Sequence, residues 1–247
     1  MELMKACLDG CKDTVELLLK KGATVNSKAN DGRKNGGGSP LIIASENGHK
    51  DIVELLLTRG ANPNIKRNDG ASSLLLATQK GYRDIVELLL EKGADPNIKK
   101  NDKTTSLIIA SQENHKDIVE LLLGKGVNPD IKRNDGATPL LLAAQKGNRD
   151  IVKLLLKKGA DINGEANNGS KPLIMASKQG HKNIVELLLE KGANINSKIN
   201  NGMTSLMGAS QDGHKNVVEL LLEKGASINR KTKDGRTSLM IAITRWS

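Results

Sequence analysis

Four histidines, His49, His115, His181 and His214, are the first residues in this 247-residue chain that could do chemistry. Imidazoles serve as metal ligands and as general bases near neutral pH. Cys7 and Cys11 could add thiolates, and Glu54, Glu87 and Glu120 could add carboxylates for acid–base work. The stretch "RKNGGGSP", from Arg33 to Pro40, sets three glycines beside two cations, the composition of a loop that cradles phosphate. None of these chemistries works unless the residues converge in space. The elements that carry them therefore decide.

Composition limits those elements. There is no Phe, one Tyr and one Trp, so the interior is built from Leu, Ile, Val and Ala instead of large aromatics. No apolar run approaches the roughly 20 residues needed to span a bilayer, so no membrane role is expected. The opening "MELMKACLDG" carries Glu2, Lys5 and Asp9 and does not read as a secretory signal. Two cysteines four apart make no disulfide framework. Together these point to a reducing, cytoplasmic setting, with the nucleus as the alternative. The net charge of +10 favours acidic partners without naming one.

Two phased series run through the chain. "LLLEKGA" or a close variant ends in Gly at positions 22, 60, 93, 126, 159, 192 and 225, with steps of 33 after a first step of 38. "SPLIIAS", "SSLLLAT", "TSLIIAS", "TPLLLAA", "KPLIMAS", "TSLMGAS" and "TSLMIAI" keep the same period. Within a unit, Thr138 reads as a helix N-cap and Pro139 as the first helical residue. Leu140, Leu142 and Ala143 supply an apolar face that ends at Gly147. A second helix holds Ile151, Val152 and Leu154 to Leu156 and closes at Gly159, where a left-handed C-terminus fits. Helices of about nine residues do not stand alone in water; they hold by stacking on neighbouring units. "NIKRNDGA" between helix pairs reads as a hairpin turn.

The period, the "TPL" start, the "GH" between helices and the "GAD" after them resemble the ankyrin repeat over the whole chain. The resemblance implies an all-α repeat solenoid. About seven helix pairs, at 1–22, 39–60, 72–93, 105–126, 138–159, 171–192 and 204–225, are linked by β-hairpin-like fingers, with a partial unit at 237–247, in one domain. One departure is systematic: the His usual after "TPL" is replaced by Ile42, Leu75, Ile108, Leu141, Ile174, Met207 and Met240.

This frame removes the catalytic readings. The histidines share one phase, with Tyr82 and Asn148 in the remaining slots, and are expected as turn residues spread along the array. Cys7 and Cys11 are expected to pack at the first unit, and the glutamates to sit in solvated pairs on exposed helix faces. "RKNGGGSP" lacks the Gly-Lys-Ser/Thr and strand–loop–helix of a P-loop; it reads as an enlarged finger with five residues inserted after Gly32. No enzyme, cofactor or metal is expected. Four local expectations remain. Asn114 and Lys103 replace turn glycines, Lys103 at a cost of about 1 kcal/mol if its φ is positive. Gly208 weakens one stacking interface. Lys5 and Thr14 give the first unit a polar outer face, so the array starts with the chain. At the far end, Trp246 either covers the last face or the natural chain continues beyond Ser247, the second reading being preferred.

By the same resemblance, partners contact the fingers and the exposed side of the first helices, the concave face. Those positions include Lys66, Arg67, Asn68, Lys99, Lys100, Asn101, Lys132, Arg133 and Asn134 on the fingers, and Glu46, Asn47, Gln79, Lys80, Gln112, Glu113, Gln145 and Lys146 on the helices. Three consecutive fingers thus carry a basic ladder that breaks at Glu165 and Ala166, with Asp69, Asp102 and Asp135 balancing part of it. The expected function is a monomeric, non-catalytic scaffold that binds a protein through an acidic segment. The alternative is an electrostatic binder of nucleic acid or another polyanion, for which base-stacking aromatics are missing. A partnerless, consensus-like chain is a third reading, opposed by the insertion, Lys103, Gly124 and Gly208.

Overall fold

A computed structural model of the chain describes residues 2–28 and 36–246, with side chains as far as residue 243. Among these residues there are fifteen α-helices and no strand. The chain divides into two compact units, Met1–Val127 and Asn128–Ser247. The first holds α1 (Glu2–Leu8), α2 (Lys12–Lys20), α3 (Pro40–Glu46), α4 (Lys50–Thr58), α5 (Ser73–Lys80), α6 (Arg83–Glu91), α7 (Ser106–Gln112) and α8 (Lys116–Gly124). The second holds α9 (Pro139–Lys146), α10 (Arg149–Lys157), α11 (Pro172–Lys178), α12 (Lys182–Glu190), α13 (Ser205–Asp212), α14 (Lys215–Glu223) and α15 (Ser238–Trp246).

The caps act where the sequence places them. Ser39, Ser72, Thr105, Thr138 and Thr204 each accept the backbone N–H three residues on, at 3.2–3.5 Å. Pro40, Pro139 and Pro172 occupy the first helical turn. Lys171, at the cap position of α11, has no such bond. The second helices start at His49, Tyr82, His115, Asn148, His181 and His214, none of which caps through its side chain.

Within the first unit, odd-numbered helices stack on odd-numbered helices and even on even; the second unit repeats this from α9 to α15. The positions where aliphatics replace His are the centre of each stack. Ile42, Leu75 and Ile108 in the first unit, and Leu141, Ile174 and Met207 in the second, are all buried. Gly208 does not leave a hole: a Cβ there would stand 3.3 Å from Lys178 Cβ, so α13 has closed on α11. The expected weakening of that interface is thus met by closer approach. Leu239 and Met240 of α15, in phase with the buried Leu206 and Met207, are 69% and 52% exposed. The Trp246 side chain, the less favoured of the two candidates to cover that face, lies outside the described residues.

The fingers are single-rung hairpins. In the one between α4 and α5, Arg67 N–H donates to Ala71 O at 2.8 Å, and Gly70 N–H to Arg67 O at 3.0 Å. This is a β-turn followed by a left-handed residue. Bonds too few for a ladder explain the absence of strands among the described residues, where the only bridge is Lys66 with Ser72.

The enlarged finger differs from expectation in register. Residues 29–35, including Gly32 and Arg33 to Asn35, lie outside the described residues, but Gly36 to Pro40 are described and buried. Gly37 holds the turn position: its φ is +83°, and Gly36 O accepts Asn68 N–H at 3.0 Å, as Asp69 O accepts Asn101 N–H in the next finger. A side chain at Gly37 would meet Asn68 Oδ1 at 2.7 Å. The five extra residues therefore precede Gly36.

Candidate partner-binding surface

Along an extended arm, successive side chains point to opposite sides, and this alternation sorts the basic ladder. Lys66, Lys99 and Lys132 are exposed. Their neighbours Arg67, Lys100 and Arg133 turn inward, with side chains 11%, 29% and 28% exposed. Arg67 bridges Asp69 at 3.1 Å and Glu46, on the first helix of the preceding repeat, at 3.3 Å. Lys100 reaches the same Asp69 at 3.4 Å, and Arg133 pairs with Asp135 at 2.5 Å. Half of the ladder is thus neutralised within the fingers.

The carboxylates respond accordingly. Burial works to raise the pKa of Asp69, but the hydrogen bonds from Arg67 and the Ala71 N–H, with the charges of Arg67 and Lys100, outweigh it and hold the group below its ordinary value. Asp135 is lowered first by the Arg133 hydrogen bond, against some burial. Where the ladder breaks, Glu165 pairs with Lys171, whose hydrogen bond lowers its pKa. Lys132 Nζ donates to Glu165 O at 3.1 Å.

The finger asparagines tie repeats together. Asn101 Nδ2 donates to Asn68 O at 3.1 Å in the first unit, and Asn167 Nδ2 to Asn134 O at 2.9 Å in the second. Of the first-helix positions, Gln79, Lys80, Glu113 and Lys146 are exposed, while Gln112 and Gln145 are half-buried. Gln112 Nε2 donates to Glu113 Oε1 at 2.9 Å. In the second unit a cleft of about 430 Å³ opens between finger and first helices, lined in part by Arg133, Asp135, Gln145, Asn167, Asn168 and Met175.

The other candidate chemistry is absorbed by stacking. His49, His181 and His214 place Nε2 at 3.2, 3.0 and 2.9 Å from Leu8 O, Gln145 O and Lys178 O, each in the preceding repeat. The His181 ring lies over Gly147, whose φ is +85° and where a Cβ would stand 2.8 Å from His181 Cε1. Tyr82 covers Gly48 in the same way. These residues do more than turn the chain: each docks one repeat on the last. No group of three or more His, Cys, Asp or Glu among the described residues could hold a metal ion. Burial pushes the Cys7 thiol up to about 12, far from a reactive thiolate, and Cys11 is exposed. No helix of the described residues is long and apolar enough to cross a membrane.

Capped first helices, glycine-closed second helices and one-rung fingers at a fixed step recur in both units, and the ankyrin repeats (3 copies) family matches residues 3–100, 107–199 and 196–245. The chain belongs to the ankyrin-repeat family. No curated protein matches it. Ankyrin repeats are generally protein–protein interaction modules and typically not catalytic. Arg67 and Arg133 are the residues whose place the repeat phase alone does not reveal. The Arg-x-Asp spacing in "RND", read with strand alternation, is the signal that marks them.

Proposed function

We propose that this ankyrin array is a protein-binding scaffold whose finger and first-helix face takes an acidic segment of its partner. The observation that carries this reading is the exposure of Lys66, Lys99 and Lys132. They recur at one phase, and none has a carboxylate within 4.0 Å among the described residues. Their inward neighbours are already neutralised, so the outward lysines keep their charge for a ligand, Lys132 from beside the Glu165 carbonyl that it bonds. Lys80 in the first unit and Lys146 in the second stand on the adjoining helices, and the cleft beside Gln145 offers room for a side chain. Charge complementarity of this kind steers encounter and sets specificity more than it adds raw affinity.

The test is fluorescence anisotropy with a labelled Glu-rich peptide. Replacing Lys66, Lys99 and Lys132 together by Ser should weaken binding several-fold, chiefly through the association rate, and the loss should shrink with added salt. Replacing Lys21, Lys92 and Lys224 by Ser removes the same charge elsewhere and should change affinity little. Equal losses in both variants would mean that net charge, not the finger face, attracts the peptide. A single-stranded oligonucleotide binding more tightly than the peptide, with a steeper salt dependence, would favour the polyanion reading.

A further inference from the structure

The second helices repeat one charge pattern, and α10 breaks it. Their fifth residue is Glu54, Glu87, Glu120, Glu186 or Glu219, but in α10 it is Lys153. Their ninth residue is Glu91, Glu190 or Glu223 in α6, α12 and α14, but in α10 it is Lys157. In α6 and α14 the glutamate closes an i,i+4 pair: Arg83 meets Glu87 at 3.0 Å, and Lys215 meets Glu219 at 3.7 Å. Arg149 of α10 has Lys153 at that spacing and Lys157 one further turn on. Three cations thus share one ridge, an arrangement that disfavours the helix on its own.

Beside that ridge lies an apolar pocket. Between α10 and α12, a space of about 290 Å³ is lined by Lys153, Leu156, Lys157, Leu187 and Lys191. Leu156 and the buried Leu187 supply the apolar surface, and the three lysines, all exposed, supply the charge. None of the three has a carboxylate within 4.0 Å among the described residues. The volume is at or below the roughly 300–1,000 Å³ of small-molecule pockets, so it suits a side chain better than a whole ligand. The corresponding space between α6 and α8 in the first unit carries Asp117 and Glu120 beside Arg83 and Lys125, and so has no net basic character.

We propose that the groove between α10 and α12 is a second docking surface, for a protein segment that sets a bulky aliphatic side chain between flanking Glu or Asp residues. The leucines take the apolar side chain out of water, and the lysine stems extend that surface while their ammonium groups meet the carboxylates. Phosphates of a nucleic acid would use the lysines but not the leucines. The surface lies on the second helices, away from the finger lysines, so it stands or falls separately from the finger reading.

The experiment uses the full chain and two labelled peptides of equal charge: glutamates flanking a central Leu-Leu pair, and the same peptide with Ser-Ser. K153E/K157E restores the charges that other second helices carry, including the i,i+4 partner that Arg83 has, so it should fold with an unchanged circular dichroism spectrum. It should weaken the Leu-Leu peptide about ten-fold or more, and the Ser-Ser peptide should bind wild type several-fold less tightly. Lys191→Ser, acting from the neighbouring helix, should weaken binding several-fold on its own. K66S/K99S/K132S and the charge-matched K21E/K92E should keep the preference for Leu-Leu over Ser-Ser. The proposal is overturned if K153E/K157E binds the Leu-Leu peptide as wild type does, or if the two peptides bind wild type equally. It is also overturned if only an oligonucleotide or anionic vesicles lose binding in K153E/K157E.

Discussion

Replacing Lys103 by Gly should make the protein more stable, because Lys103 holds a backbone conformation that a side chain disfavours. Its φ is +62°, at the phase where Gly70, Gly136, Gly169, Gly202 and Gly235 also take positive φ. A left-handed conformation costs an L-residue roughly 1–2 kcal/mol, and the substitution relieves that. Against this, Gly gives the unfolded chain about 0.4–1 kcal/mol more freedom to lose. Lys103 N–H donates to Lys100 O at 2.9 Å, a backbone bond that Gly retains, and the Lys103 side chain is exposed with no ion pair within 4.0 Å among the described residues. The net gain is therefore about 0.5–1 kcal/mol, or roughly 1–4 °C in Tm for a chain of this size. Asn114, with φ +63°, is the control. Asn tolerates this region better than Lys, so Asn114→Gly should gain less than half as much. Lys103→Ala keeps the Cβ and should gain nothing. Urea melts and calorimetry of the three variants give the answer. A Lys103→Gly variant no more stable than wild type, or a Lys103→Ala variant equally stabilised, would refute the reasoning.

Two further outcomes follow from the fingers. Asp69→Asn should destabilise the protein at neutral pH by roughly 1.5–3 kcal/mol, because Arg67 loses a charge-assisted bond in a poorly hydrated site. Since the folded pKa of Asp69 is lowered, that stability is fully present above its unfolded value of about 3.9 and lost as pH falls through the folded value, so acid melts of variant and wild type should converge; a constant gap down to the lowest pH would contradict the pairing. Deleting Arg33 to Gly37 makes Gly32 the turn residue and sets Asp31 where Gly36 now offers its carbonyl. Loop closure changes only slowly with length, so Tm should be unchanged or higher, and a clear fall would show that Asp31 and Gly32 do not replace Gly36 and Gly37 against Asn68.

The repeat was legible because each of its signals has a local cause. Thr138 caps, Pro139 starts and Gly147 stops α9 through bonds within a few residues, and the same residues recur at one step. What sequence could not give is the choice between two turns that both fit. Gly32 follows an Asn-Asp pair as Gly70 and Gly136 do, yet Gly37 takes the turn because Gly36 O meets Asn68 N–H from the next repeat. That bond spans 32 residues of chain and leaves no local mark. The candidate surface was read in outline only. Phase placed Lys66 and Arg67 together, whereas extended geometry separates them and gives Arg67 to Glu46 and Asp69. The histidines were recognised as structural, but the carbonyl contacts that His49, His181 and His214 make in the preceding repeat depend on stacking.

The central claim is that the outward finger lysines choose the partner's charge, and a charge swap tests it directly. Anisotropy titrations would compare wild type with K66E/K99E/K132E, each against a Glu-rich and a Lys-rich peptide of the same length, with K21E/K92E/K224E as the charge-matched control. Wild type and the control should prefer the Glu-rich peptide, and in the finger variant that preference should narrow by about ten-fold or more or reverse. A finger variant that keeps the wild-type preference, while remaining folded by circular dichroism, would contradict the account.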